Sequence, residues 1–274
     1  MRNHQSSIHH HKEMKRLYFI IAAMLLATAA SAQNSNNVPD GLDAVDLALP
    51  SGTLWANMNV GATAPEGYGD YFAWGETSVQ SSNRYFWDSY KWCNGSYKAL
   101  SKYCSDASFG HNGFTDNMTM LEADDDAATA IWGSGWRMPT SAEMEELVSN
   151  TTGRWTTLNG VYGRKFTSKT NGHSIFLPAA GCWYDSKSHG AGSYGAYWSN
   201  TINAESPSNA WSFNFGIAYV GKSYFNRLSG FTIRPVSTVR LGVSSSSLTF
   251  TSTAGSEQVT ITCNDSWTAT SNES

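Results

Sequence analysis

The sequence predicts an α+β domain in which two short helices sit among β-strands joined by long loops, followed by an incomplete all-β sandwich. Three observations lead there. Short alternating or apolar runs bounded by turn residues recur along most of the chain. Only two segments carry helix grammar. Beyond Leu241 the pattern changes to strands alone.

The first strands are signalled by Val45, Leu47 and Leu49, which alternate with polar or small residues, then by the turn Pro50-Ser51-Gly52 and the return Thr53-Leu54-Trp55-Ala56. This is a β-hairpin pattern. The first helix is expected where Asp124-Asp125-Asp126 precedes Ala127-Ala128-Thr129-Ala130-Ile131-Trp132, since carboxylates favour the positive end of the helix dipole and alanine favours helix. In the second, Thr140 and Glu143 form a capping box after Pro139, and Met144, Leu147 and Val148 give one apolar stripe, with the acids expected to face water. Ser174-Ile175-Phe176-Leu177-Pro178 reads as a short buried strand. Trp211-Ser212-Phe213-Asn214-Phe215 has the period of two of a half-buried strand, and Phe231-Thr232-Ile233-Arg234 repeats the alternation. Leu248-Thr249-Phe250, Gly255, Val259-Thr260-Ile261-Thr262 and Trp267 read as the opening strands of a sandwich.

Met14, Lys15 and Arg16 followed by the apolar run 17–27 and by Ala30-Ser31-Ala32 have the form of a signal peptide cleaved after Ala32. The run is shorter than the about 20 residues a membrane-spanning helix needs, so export to the periplasm, the cell surface or the medium is expected, with no transmembrane segment. Residues 1–13, with His9, His10 and His11, are taken as an over-long start and carry no metal site. The resulting divisions are 1–32 upstream segment and leader, 33–44 linker, 45–237 the α+β domain and 241–274 the truncated sandwich.

The net charge of −4 becomes more negative once Arg2, Lys12, Lys15 and Arg16 leave with the leader, which argues against a nucleic-acid partner. At 13% aromatic against 15% charged, the chain packs and displays Trp and Tyr where aliphatic and charged residues are usual. Of four cysteines, Cys93 and Cys104 are close enough in one polar segment to be a disulfide candidate; Cys182 and Cys263 read as small buried side chains. No zinc spacing occurs.

Chemistry-bearing motifs are sparse. Gly190-Ala191-Gly192-Ser193-Tyr194-Gly195 spells a dinucleotide fingerprint but lacks its strand and helix, so it reads as a flexible loop. Glu122, Asp124, Asp125 and Asp126 form a carboxylate cluster that calcium or an acid–base pair could use. Side chains at consecutive helical positions splay apart, so helix capping is the competing role. No resident metal or cofactor is expected, calcium being the alternative. His111, His173 and His189 stand alone among loop residues, and no catalytic residue is assigned.

The informative stretch is 183–231, where Tyr and Trp interleave with Asn, Ser and Gly. Rigid aromatic contact area combined with adaptable hydrogen bonding is typical of binding surfaces. The candidate ligand-binding residues are Tyr184, Tyr197, Asn209, Ser212, Asn214, Tyr219, Lys222, Tyr224 and Asn226. Trp211, Phe213 and Phe215 are assigned to the core.

Several motifs in order carry a resemblance: residues 45–56, then Gly69-Asp70-Tyr71-Phe72-Ala73-Trp74-Gly75-Glu76, Gly135-Trp136-Arg137-Met138-Pro139-Thr140, Phe176-Leu177-Pro178-Ala179-Ala180-Gly181, Tyr197-Trp198-Ser199 and Arg234-Pro235-Val236. Together they resemble the Fibrobacter succinogenes major paralogous domain over about 45–237. The Trp-Arg-Met-Pro-Thr segment is also similar to the formylglycine-generating enzyme family, which implies a C-type-lectin-like fold. That family's catalytic cysteines have no counterpart between Trp183 and Val236, so its activity is not implied. The Glu-Pro-Asn and Trp-Asn-Asp motifs of sugar-binding C-type lectins are missing too. In related exported lectin-like proteins, including targets of diversity-generating retroelements, the segment before the closing strand contacts the ligand, here 203–226. The tail from Leu241 resembles the start of a BACON domain, common in Bacteroidetes surface proteins and linked with carbohydrate or mucin binding. The expected function is an exported, non-catalytic module recognising a glycan or a surface protein. The alternatives are an enzyme acting on surface or host polysaccharide, with acids near 122–126, and a structural spacer in a larger surface protein.

Overall fold

The computed structural model describes residues 38–237 in full, together with the backbone of two strands, 241–243 and 261–263. The expected leader, the expected linker before Val38 and most of the expected sandwich lie outside the described residues. Two compact units divide the chain: one comprises 36–238, the other pairs 1–35 with 239–274. In the latter, Leu241–Val243 and Ile261–Cys263 pair antiparallel. The side chain of Cys263 lies outside the described residues.

The larger unit is α+β and rich in sheet, built of small antiparallel sheets and a few short helices. Its first hairpin is the expected one: β1 (Ala44–Asp46) pairs with β2 (Leu54–Ala56), Val45 opposite Trp55. Residues at the far end of the domain close this sheet, since β11 (Val236–Ser237) lies on the other side of β2. Between them lie β3 (Thr151–Leu158), β4 (Val161–Ser168) and β5 (Ser174–Pro178) in that order, a two-stranded ribbon of β6 (Cys182–Tyr184) and β7 (Lys187–His189), and a sheet of β8 (Tyr194–Ile202), β9 (Asn209–Gly216) and β10 (Val220–Asn226) with β9 central.

Both expected helices form. Helix α1 (Ala127–Trp132) starts at Asp126, whose carboxylate accepts from the amides of Ala128 and Thr129. Helix α2 (Ser141–Asn150) opens on the capping box: Thr140 Oγ1 accepts from the Glu143 amide at 3.1 Å, and Glu143 Oε2 accepts from the Thr140 amide at 2.8 Å. The expectation that all its acids face water is corrected at Glu143. That carboxylate is held by the Arg137 guanidinium through two bonds of 2.8 and 2.6 Å and by Thr53 Oγ1 at 2.8 Å, so it fastens the helix start to β2. Burial alone would raise its pKa; the Arg137 fork and the Thr140 amide reverse that and bring it to about 2.

Two apolar clusters sandwich the β8–β10 sheet. On one face Met144 and Leu147 of α2 meet Phe166, Leu177, Tyr197, Phe213 and Phe215. On the other, Trp74, Phe72, Ala128 and Phe231 meet Ala196, Trp198 and Ala210. The alternation of 231–234 is real but does not make a half-exposed strand. All four residues are buried, bridging Phe72 and Tyr197, and Arg234 is spent on Asn59 Oδ1 and on the carbonyls of Ala56 and Phe176.

Of the Gly190–Gly195 stretch, 190–193 form the loop between β7 and β8 and Tyr194-Gly195 open β8. Gly190 has φ +67°, and a Cβ there would lie 1.8 Å from the Tyr194 ring, so only glycine fits. Cys93 and Cys104, the disulfide candidate, are free thiols in the structure: Cys93 Sγ donates to the Trp87 carbonyl at 3.0 Å and Cys104 Sγ to that of Asp106 at 3.1 Å. Cys182 is buried, as expected, against the Tyr194 hydroxyl. Among the described residues no helix is long and apolar enough to cross a membrane.

Candidate functional site

The β9–β10 hairpin sets out the site by register. Phe215 lies opposite Val220, Phe213 opposite Lys222, Trp211 opposite Tyr224 and Asn209 opposite Asn226. Because side chains alternate along a strand, these eight residues share one face. Near the turn that face is sealed by α2, which leaves Phe213 and Phe215 buried. Towards the other end the cover stops. Trp211 is half-buried there and Tyr224 is 53% exposed, their rings edge to face with centroids 5.7 Å apart.

Polar groups frame this aromatic pair. Lys222 Nζ lies 4.5 Å from the centre of the Trp211 ring and 2.5 Å from Glu145 Oε1 on α2. Beyond the rings stand Asn209 and Asn226, with Asn209 Nδ2 donating to Ser206 Oγ at 2.9 Å. The result is an amphipathic strip across edge strand β10 and its neighbour β9: an apolar ring pair, two carboxamides on one side and a cation–carboxylate pair on the other. Such a strip can offer a ring face or edge to an apolar surface while hydrogen-bonding hydroxyl or amide groups beside it.

Of the nine sequence-predicted residues, Asn209, Lys222, Tyr224 and Asn226 meet on this strip. Tyr219 is 53% exposed, but it sits at the hairpin turn with its ring lying over Gly216, on the opposite side of the sheet. Tyr184 is 40% exposed on β6, in another sheet. Three of the nine require correction. Tyr197 is fully buried, stacked on Phe215, with its hydroxyl donating to the Pro178 carbonyl at 2.6 Å; burial pushes its pKa up to about 12. Ser212 is fully buried opposite Trp198, its hydroxyl turned to the Ser223 carbonyl. Asn214 is half-buried, and its Oδ1 is buried without a partner. The common cause is that this sheet is covered on both faces, so the polar residues of β9 point into a second core where a one-sided sheet would show them to water.

Trp211, assigned to the core, belongs to the strip. The partly exposed Phe225, 5.2 Å from Phe231, and the exposed turn residue Ile217 carry no mark in the sequence. Nor does Arg227, which follows β10 and is fully buried. Its guanidinium donates to the Tyr90 hydroxyl and to the carbonyls of Lys102, Tyr103 and Pro207 at 2.9 to 3.1 Å, and it lies 4.9 Å over the Trp74 ring. Three loops are thereby fastened to the end of the strip.

The carboxylates of 122–126 do not converge. Asp126 caps α1 and also accepts from the Met138 amide at 2.8 Å. Asp125 accepts from the Tyr103 hydroxyl at 2.7 Å and from Lys102 Nζ at 2.6 Å; burial would raise its pKa, but these two bonds hold it below the usual value. Glu122 pairs with the same lysine at 2.5 Å, while Asp124 points to water. Among the described residues no group of three or more His, Cys, Asp or Glu side chains is placed to hold a metal ion. His111, His173 and His189 are all exposed.

Residues 153–236, from within β3 to β11 and so including every residue of the strip but Glu145, are similar to a domain of unknown function (DUF8237). No curated protein and no solved structure matches the chain.

Proposed function

We propose that this chain is an exported, non-catalytic binding module that recognises a glycan or a glycan-bearing surface protein through the Trp211–Tyr224 strip. The observation that carries the proposal is an aromatic pair, half-buried Trp211 on β9 and exposed Tyr224 on edge strand β10, left partly open while its neighbours Phe213 and Phe215 are sealed, with carboxamides and a charged pair arranged around it. A sugar ring offers an apolar face and a rim of hydroxyls, and the strip offers the complement of each. The leader-like segment 14–32 supports export. The ordered motifs support the Fibrobacter succinogenes major paralogous domain and, through it, a C-type-lectin-like scaffold, whose related exported members bind ligands with the segment preceding the closing strand.

Calcium has no part in this reading, because Asp125, Asp126 and Glu122 are already satisfied by lysines, a tyrosine and backbone amides. Affinity electrophoresis in gels containing neutral polysaccharides tests both points. Retardation by at least one polymer, unchanged by a chelator and abolished by Trp211→Ala with Tyr224→Ala, is the expected result. A requirement for calcium, or retardation indifferent to the double substitution, contradicts it.

A further inference from the structure

Between Glu146 and Asp185 the sequence contains no acidic residue, yet it carries Arg154, Arg164, Lys165 and Lys169, in a chain whose net charge is −4. The fold gathers two of these cations. Arg154 on edge strand β3 lies directly opposite Lys165 on β4, so both leave the same face of the β3–β4–β5 sheet with Cβ atoms about 5 Å apart. Both are exposed, and among the described residues neither is ion-paired or hydrogen-bonded through its side chain. This contrasts with the other exposed lysines near the domain's carboxylates: Lys91 has Asp125 and Lys222 has Glu145.

Two like charges directly opposed on a sheet destabilise the folded state. Natural sheets more often alternate sign at such positions, so an uncompensated pair marks a place where an anion lowers the energy. Around the two cations the same face sets hydroxyls in register: Thr152 opposite Thr167, and Thr167 opposite Ser174 on β5. The face is open to water at Thr152, Arg154 and Lys165, closes at the buried Phe176 opposite Lys165, and has its nearest recorded carboxylate, Glu66, bonded to Asn159 in the β3–β4 turn.

We infer that Arg154 and Lys165, with the Thr152, Thr167 and Ser174 hydroxyls, form a second binding surface, for a sulfated polysaccharide. A guanidinium fork, an ammonium and hydroxyl donors approach from several directions, which suits the tetrahedral oxygens of a sulfate ester better than the two coplanar oxygens of a carboxylate. An acidic chain taking one local basic patch to its partner fits a discrete anionic glycan better than a nucleic-acid duplex, which wants a broad basic footprint. The surface lies on a different sheet from the Trp211–Tyr224 strip and stands or falls independently of it.

The test uses the full chain against dextran sulfate, with neutral dextran and polygalacturonate as comparison polymers, and four proteins: wild type, Arg154→Gln with Lys165→Gln, Tyr224→Ala, and Lys98→Gln as a remote exposed lysine. Dextran sulfate is expected to bind the wild type, more weakly as salt rises. The double substitution is expected to weaken that binding by about tenfold or more, with the other two variants unchanged. The double variant should keep or raise its melting temperature, since it removes a like-charge pair, so lost binding is not lost folding. Absence of binding, equal loss in Lys98→Gln, an intact double variant, or tighter binding to polygalacturonate than to dextran sulfate overturns the inference. Loss of neutral-glycan binding in Tyr224→Ala with sulfate binding intact supports it and separates it from the first surface.

Discussion

Tyr224 and Tyr197 belong to the same aromatic-polar stretch and have opposite fates: one is 53% exposed at an edge, the other fully buried beneath α2. Composition marks the stretch as a candidate binding surface, and within it Tyr224, Lys222, Asn209 and Asn226 fall on one face of the sheet. Composition could not separate them from Ser212, because burial of a serine depends on what lies across the sheet, here Trp198, 14 residues earlier in the chain. Replacing Tyr224 with Ala removes an exposed ring and is expected to change stability by no more than about 0.5 kcal/mol. Trp211→Ala, at a half-buried site, is expected to cost more, about 2 kcal/mol, and urea titrations of both variants check the difference. Glu143 makes a pH prediction. Its folded pKa of about 2 lies below the ordinary 4.5, so its pairing with Arg137 stabilises the protein fully above pH 4.5 and is lost as pH falls towards 2. Acid unfolding of Glu143→Gln should therefore begin from a lower stability at neutral pH and show a shallower decline across that window than the wild type.

Elements whose grammar is local were legible from the chain alone. Asp126 before the alanines and Thr140 with Glu143 specify helix starts within four residues, and both helices form where those signals stand. Thr140→Ala should cost about 1 kcal/mol. Asp126→Ala should cost more than that, since its buried carboxylate serves the Ala128, Thr129 and Met138 amides together; denaturant midpoints for the pair test the order. The strands were less fully legible. Period-two alternation in 211–215 located β9 correctly, but it was read as one wet face and one dry face. A strand placed between two clusters hides both faces, and alternation then records which cluster each residue enters. The same holds for 231–234, where all four alternating residues are buried.

At the scale of the whole domain, the long loops are ordered by a few buried polar groups that leave no local signature. Among the described residues Arg227 has no carboxylate partner and instead joins Tyr90, Lys102, Tyr103 and Pro207, residues brought together only by the completed fold. Arg227→Leu would leave three buried carbonyls without their donor, at about 1–3 kcal/mol each, and is expected to lower the melting temperature more than any substitution on the strip. These loops close on the end of β10, so the strip is presented by a rigid frame, which limits the entropy lost on binding. The central claim is that the frame exists to present the Trp211–Tyr224 pair. Its most direct test is a glycan and surface-protein array probed with the full chain and with Tyr224→Ala: the account predicts a restricted set of glycan signals in the wild type that fall by about tenfold in the variant, and signals of equal strength in the two proteins would contradict it.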